Sequence, residues 1–598
     1  MHHDAIYAVV ACPGEQSWVV PGVGNMPIHN ADIARIFGEI ADLLEIQGAN
    51  PFRIRAYRNA ARIVGELGHD IRGMVDKGAD LTALPGIGDD LAAKMREILA
   101  SGSCALLERL HRELPPAIGE LLHLPGLGPK RVKALYHELD VETLEQVYRA
   151  ARDGRIRRLP GFGEKTEQNI LGAVETHLSK LRRFKLATAA QYADTLVAWL
   201  KRLPGVKQVT VAGSYRRMRE TVGDLDILVA APAGRPVIEH FTAYDEVAEV
   251  LSSGETRASV VLQSRLQVDL RVVAASCYGA ALCYFTGSKA HNIAIRRLGQ
   301  ERGLKINEYG VFRGGERIAG EDEASVYRAV GLPFIPPELR EDRGEIEAAR
   351  AGRLPRLIEL GELRGDLHVH SKASDGHDTL AAMAQAAAAR GLEYIAVTEH
   401  SRRLAVAHGL DAQRLARQID EIERLNAESC GITLLKGIEV DILEDGSLDL
   451  PDSILTRLDL VVGAVHSKFD LSRAKQTERI LRAMDNPNFT ILAHPTGRMI
   501  EQREPYDVDM LRIIRHAGER GCFLELNAHP ERLDLIDSYC LMAKDEGVLV
   551  SIASDAHGVL DFDNLRFGVG QARRGWLAAA DVLNTRPLGQ LRPLLAHG

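Results

Sequence analysis

The chain has 598 residues, 45% hydrophobic and 26% charged, with a formal net charge of -8. It has room for roughly three to five globular domains and is too rich in apolar residues to be a disordered chain. No run approaches the roughly 18 apolar residues of a membrane-spanning helix, and residues 1–25 lack the basic and apolar segments of a secretory signal. Residues 26–340 carry a net +4 and residues 341–598 a net -10, so a mildly basic front, suited to a polyanion, precedes an acidic back, suited to cations.

Seven cysteines, odd in number and without a CxxC pair, fit a thiol-reduced cytoplasm. Residues 1–25 show no helical periodicity and read as a disordered extension, with Met26 as an alternative start. A helical pattern begins at NADIARIFGEIADLLEIQG, and a short string then recurs three times: LPGIGDDLAAKM (84–95), LPGLGPKRVKAL (124–135) and LPGFGEKTEQNIL (159–171). In each, Pro fixes φ into a turn and two glycines (Gly86 and Gly88, Gly126 and Gly128, Gly161 and Gly163) permit φ > 0 and close approach of a phosphate. The helix that follows aims its free N–H groups at the same point. One such string is as readily an ordinary helix-to-helix turn. Three, with Lys130, Arg131 and Lys165 beyond the glycines, predict a clamp on the DNA backbone that does not read bases. They resemble helix-hairpin-helix motifs.

The segment VTVAGSYRRMRETVGDLDILVAAP (209–232) predicts strands at 209–212 and 225–231. Strand alternation places Asp224 and Asp226 on one side, and Asp269, within the apolar run SRLQVDLRVVA, supplies a third acid. Like charges this close need cations between them. Three such carboxylates suit a two-Mg²⁺ (or Mn²⁺) phosphoryl-transfer centre, with Gly213, Ser214, Arg216 and Arg217 placed to take phosphate oxygens. A solvated strand edge with a few arginines is the bland alternative.

The strings GSYRR, GDLDIL and VDLRVV, followed by YFTGSKAHNIAIRRLGQERGLKINEYGVF (284–312), closely resemble family X DNA polymerases of the DNA polymerase beta type. The resemblance implies that Asp224, Asp226 and Asp269 bind the catalytic metals, Asp269 accepting the proton of a primer 3′-OH. It implies that Ser214 and Arg217 hold the β- and γ-phosphates, that Tyr284, Phe285 and Gly287 form the sugar-contacting turn, and that Asn292 and Arg296 lie near the nascent base pair. Two positions depart from the pattern: Val222 stands where animal members have a phosphate-binding Ser, and Lys289 where the beta enzyme has an Asp. Lys94 matches the lysine that forms a Schiff base with a 5′-deoxyribose phosphate in repair members. An exposed helix lysine facing a DNA phosphate explains Lys94 equally well, and Asp90 makes its surroundings less basic than in the beta enzyme.

After a charged, Pro-punctuated stretch that reads as a linker with a short helix, seven apolar runs end in polar residues: DLHVHS, YIAVTEHS, LLKGIEVDI, LDLVVGAVHS, TILAHPTGR, CFLELNAH and VLVSIASDAH. Helical stretches lie between them, a pattern that predicts a distorted α/β barrel of seven units. The run ends carry His368, His370, Asp375, His400, Glu439, His466, His494, Asp555 and His557. Each alone is more readily a loop histidine or acid; together they suit two or three Zn²⁺ or Mn²⁺ ions that activate water against a phosphoester. The set resembles the metal constellation of the PHP (polymerase and histidinol phosphatase) domain, with all nine positions filled. His377, His408 and His529 fall outside it.

The expected fold is therefore multidomain α+β and α/β: helical helix-hairpin-helix domains at 26–110 and 111–183, a nucleotidyltransferase palm at 184–280, a thumb at 281–336, a linker at 337–364 and a distorted (β/α)7 PHP barrel at 365–598. The resemblance implies a monomeric, cytoplasmic gap-filling polymerase acting on gapped or primed DNA with dNTPs, and no membrane partner. It also implies a metal-dependent 3′–5′ exonuclease, with abasic-site or 3′-phosphate trimming as a wider expectation. A phosphoesterase with an inactive palm, or a DNA-end-binding scaffold, is the alternative.

Overall fold

The computed structural model describes residue 28 and residues 30–596, apart from 68–70, 77, 85, 114–120, 122–126, 140, 142, 181–182 and 429–430. The extension expected over residues 1–25, Gly126 of the second repeat and the side chain of Lys130 lie outside the described residues.

The front of the molecule is helical. Asn50 caps the helix Pro51–Glu66 by accepting from the Phe52 N–H, with Pro51 in the first turn where its missing donor costs nothing. Ile33, Phe37, Ile40, Tyr57, Ala60 and Val64 bury the helical stripe that the periodicity predicts. Leu127, Val132, Val147, Ile156, Phe162 and Ile170 form a second small helical core.

The palm strands are β1 (Phe184–Lys185), β2 (Gln208–Val211), β3 (Thr221–Val222), β4 (Asp224–Ala230), β5 (Val247–Ser253), β6 (Arg257–Leu262) and β7 (Gln267–Val273). Five of them form one sheet in the order β2-β4-β7-β6-β5, with only β4 and β7 parallel. The two strands predicted at 209–212 and 225–231 each begin and end one residue earlier. The thumb adds the helices Tyr278–Thr286 and Lys289–Glu301 and an antiparallel sheet of β8 (Leu304–Asn307), β9 (Gly310–Arg313) and β10 (Glu316–Ala319).

The back is an all-parallel ring of β11 (Gly365–Val369), β12 (Tyr394–Val397), β13 (Thr433–Lys436), β14 (Glu439–Asp441), β15 (Val462–Ala464), β16 (Ile491–Leu492), β17 (Phe523–Asn527) and β18 (Val550–Ala553). β13 and β14 are the two halves of the single predicted run LLKGIEVDI, so seven runs stand as read. β13 pairs back to β12 and β14 forward to β15, and a bridge between His400 and Glu439 spans the break. A parallel bridge from Val369 to Ala556 brings the last run beside the first.

Residues 337–364 contain the expected short helix, at Glu345–Arg350, but are packed rather than loose. Arg340 is fully buried, donating to Glu323 at 2.7 Å and to the Ile335 carbonyl at 2.9 Å, with its guanidinium over Tyr327 and Phe334. Glu345 meets the His291 ring at 2.6 Å. Across this seam Arg573 of the barrel pairs with Glu338 at 2.7 Å, and Arg574 reaches both Glu341 at 2.9 Å and the Arg217 carbonyl at 2.8 Å.

Candidate active sites

The first two helix-hairpin-helix glycines sit where they must. Gly86 has φ +64°, Gly88 stands immediately before the helix Asp89–Ser101, and Ile87 between them is buried. In the third repeat Gly161 has φ +84°, Phe162 is buried, and Gly163 precedes the helix Glu164–Lys180, on which Lys165 is exposed. Of the second repeat, Gly128 directly precedes the helix Pro129–Leu139, and Arg131 places its guanidinium 5.6 Å over the Phe162 ring. Lys94 is half-buried and touches Asp90 and Tyr57; burial opposes its charge, yet the Asp90 hydrogen bond wins and holds the ammonium above its ordinary range.

In the palm, parallel pairing sets Asp226 directly beside Asp269, with Asp224 two residues along the same strand. Ser259 donates to one Asp269 oxygen and Gln267 to the other at 3.0 Å, which fixes that carboxylate's plane. Burial and then the charges of Asp224 and Asp269 push the Asp226 carboxyl up to about 7, and burial with Asp269 raises Asp224. Gly213, with φ +60°, begins a one-turn helix at the end of β2; any Cβ there would collide with the Asp226 carboxylate. A cleft of about 430 Å³ gathers Gly213, Ser214 and Arg217 with Asp224 and Asp226, and opposite them Tyr284, Phe285, Gly287, Asn292 and Arg296. Gly287, at φ +27°, leaves room for Asn292, whose amide donates to the Tyr284 carbonyl at 2.6 Å. Lys289 also lines this cleft, and Asp269 stands beside it through its pairing with Asp226. Arg217 donates to the Thr286 carbonyl at 2.6 Å and to Glu341 at 3.1 Å. Arg216 instead turns inward, to Glu323 and Thr286, and holds the thumb to the palm.

At the barrel, all nine predicted residues converge. Donor atoms lie within 4.8 Å of one another in three overlapping groups: His370, Asp375, His400 and His557; His368, His370 and Asp555; His400, Glu439 and His466. His494 completes the set, its Nε2 at 2.9 Å from Glu439 Oε1. Among the described residues, six buried atoms here, His368 Nε2, both His370 ring nitrogens, His400 Nδ1, Glu439 Oε2 and His494 Nδ1, make no aligned hydrogen bond, although His400 Nδ1 and Glu439 Oε2 stand 2.7 Å apart. Buried polar atoms are rarely left so, and imidazole nitrogens mixed with carboxylate oxygens are the donors that Zn²⁺ and Mn²⁺ take. The residues therefore fit divalent ions. Burial and neighbouring imidazoles lower His370 to about 3, and burial with Arg532 lowers His494 to about 4, so both rings keep a free lone pair at neutral pH. Burial alone would also lower His400 and His557, but nearby carboxylates raise them to about 10 and about 9.

Several residues that sequence reasoning missed hold these candidate ligands in place. Glu525 accepts from His368 Nδ1 at 2.6 Å and from the His494 N–H at 2.6 Å, so the other His368 nitrogen is left facing the cluster. Asp441 meets His466 Nδ1 at 2.9 Å, Asn527 donates to Asp555 at 2.9 Å, and Asp366 accepts from the backbone of His368 and Ser554. Each stands two residues from a ligand or from another of these supports on an apolar strand, as in Glu439–Val440–Asp441 and Glu525–Leu526–Asn527, and that alternation was the available signal. His494 and Asp555 have positive φ (28° and 54°), a backbone cost that concentrates at functional strand ends. His377 and His529 lie beside the cluster, lining a cavity with His557, whereas His408 is exposed in a left-handed turn.

The fold and these sites define a class: a beta-type nucleotidyltransferase palm and thumb behind helix-hairpin-helix domains, followed by a PHP barrel. Comparison with known proteins agrees segment by segment. Residues 28–104 match the family described as helix-hairpin-helix domain and 118–175 the SAM-like helix-hairpin-helix tandem. Residues 187–298 match DNA polymerase beta palm, 281–341 DNA polymerase beta thumb, and 366–529 PHP domain. The chain is 38% identical over 572 residues, 95% of its length and 99% of the relative's, to the DNA polymerase/3′-5′ exonuclease PolX of Bacillus subtilis (strain 168). It thus belongs to the PolX family of family X polymerases with a C-terminal PHP domain. Its back half is also 30% identical over 245 residues, 38% of this chain and 93% of the relative, to a probable phosphatase of Thermoanaerobacter sp. (strain X514). DNA polymerase lambda of Rattus norvegicus matches over 292 residues at 27%, covering 43% of this chain and 48% of the relative. Among the described residues no helix is long and apolar enough to cross a membrane.

Proposed function

We propose that the chain is a DNA-directed DNA polymerase that fills short gaps during repair, and that its barrel is a separate metal-dependent 3′–5′ exonuclease or phosphoesterase. The observation that carries the first reading is the palm cleft, where three adjacent carboxylates meet the whole predicted nucleotide-binding set. Asp269, held by Ser259 and Gln267, is the base for the primer 3′-OH proton. Ser214 and Arg217 take the β- and γ-phosphates of a dNTP, Tyr284, Phe285 and Gly287 support its sugar, and Asn292 and Arg296 sit at the base pair. Mg²⁺ or Mn²⁺ on Asp224, Asp226 and Asp269 would lower the pKa of the attacking hydroxyl and neutralise the triphosphate, while two or three Zn²⁺ or Mn²⁺ ions in the barrel would activate water.

In the barrel, His368, His370, Asp375, His400, Glu439, His466, His494, Asp555 and His557 are the ligands, and Glu525 and Asp441 set the ring tautomers. Gly86, Gly88, Gly126, Gly128, Gly161 and Gly163, with Lys130 and Lys165, grip the DNA backbone. Abasic-site cleavage at the barrel and 5′-deoxyribose-phosphate removal at Lys94 extend the reading. The setting is a reducing cytoplasm, with gapped or primed DNA and dNTPs as partners of a monomer.

An inactive palm is disfavoured, since a dead site has no electrostatic reason to retain three close carboxylates. Primer extension on one-nucleotide-gapped DNA tests the proposal. Product in Mg²⁺ or Mn²⁺ is expected; none in either would overturn it.

A further inference from the structure

A cavity of about 180 Å³ lies between the N-terminal helical domain and the barrel. On one side it is walled by Ile63, Leu67, Met74 and Leu84, all helical-domain residues. The other side is Val559 and Leu560, and the floor is His377, His529 and His557. His557 belongs at once to this cavity and to the cluster with His370, Asp375 and His400. The loop that shapes the floor is tied down: Asp561 accepts the His557 N–H at 3.0 Å, Asp378 accepts the Val559 N–H at 3.0 Å, and the His377 N–H reaches the His557 carbonyl at 2.6 Å.

We infer that this cavity is the seat of a single unpaired 3′-terminal nucleobase, so that the helical domain supplies half of the specificity pocket of the hydrolytic site. The inference rests on the hydrolase reading of the barrel and deepens it. Three features carry it. The walls are mostly apolar, with a few polar groups among them (Asp80, Asp378, Asp561 and the floor histidines), as a flat heterocycle with polar edges requires. At about 180 Å³ the cavity is on the scale of one base, and seating a single base there requires the end to fray. The cavity also opens onto a candidate metal ligand, so a base held there would place its own 5′-phosphodiester at the cluster.

The test fills the space from each side. Ala83, exposed at the rim, and Val559, on the opposite wall, are each replaced by Trp in the full chain. Degradation is compared on single-stranded oligonucleotides that end either in a normal 3′ nucleotide or in a tetrahydrofuran abasic nucleotide. Both Ala83→Trp and Val559→Trp are expected to slow removal of the base-bearing end at least tenfold more than the abasic end, through KM. A terminal 2-aminopurine should change its emission on binding wild-type protein in chelator, and not on binding either variant. Equal slowing of both ends, or no slowing, would overturn the pocket. Failure of the wild type to degrade either end in Mn²⁺ or Zn²⁺ would overturn the hydrolase reading, and the pocket with it.

Discussion

The two metal-capable centres of this chain solve the problem of crowded carboxylates in opposite ways. In the palm, three acids share a cleft with no histidine among its described lining, and burial followed by their mutual repulsion lifts Asp226 to about 7. In the barrel, Glu439 lies within 3.6 Å of four imidazoles and 2.9 Å of a fifth, and those rings hold its carboxyl well below the ordinary range despite burial. A site that balances its own charge can retain its ions between turnovers. A site that does not must receive them with the substrate, whose triphosphate brings the missing ligands. On this reasoning the palm should take its cations with the substrate, and the barrel should keep its own.

The comparison breaks most visibly by mutation. Asp224→Ala with Asp226→Ala should lower gap filling by at least about a thousandfold and leave 3′-end degradation intact, and His368→Ala should do the reverse, a loss typical of removing electrostatic transition-state stabilisation. Gap-filling and end-degradation assays on the same preparations check this, and joint loss in either variant would contradict separate centres. The pH response is next in size. The ionised carboxylate is the cation-binding form, so at limiting Mg²⁺ extension should fall about tenfold per pH unit below about 7, and excess Mg²⁺ should move that midpoint downward. The same raised carboxyl makes the metal-free palm lose stability as pH rises from about 4 to about 7, because the unfolded chain gives up its proton first. Elemental analysis after gel filtration in metal-free buffer sharpens the contrast: two or three ions should stay with the chain, His368→Ala should lose them, and Asp226→Ala should not. Chelation strong enough to strip them should lower the melting temperature by several degrees. The smallest effect concerns Lys94. Asp90 keeps its amine protonated, so borohydride trapping on a 5′-deoxyribose phosphate should be weak, and Asp90→Asn should raise it a few-fold.

How much of this was legible in the sequence depended on the range of the physics. Period-two alternation put Asp224 and Asp226 on one side, and the seven run ends, with the loop after the first, pointed to the nine candidate residues that the structure gathers, because a parallel barrel converges strand ends whatever the helices between them do. Pairings across long stretches of chain were not legible. Glu525 sits 157 residues from His368, and Glu341 124 residues from the Arg217 it engages. Residues 337–364 look like a linker by composition, since charge and proline are local signals, yet Arg340 is buried by partners that no local pattern announces.

Arg574 gives that seam a further meaning. One barrel guanidinium touches Glu341, the carbonyl of Arg217 and, at 2.8 Å, Asp537. Splitting the chain between its halves would leave Glu341 and Glu338 without their barrel arginines and would free the backbone of Arg217, which lines the palm cleft. The two reactions are chemically separable, but the protein is not modular at that joint. A front half expressed alone would be a different polymerase, and gene fission a poor route to a simpler one.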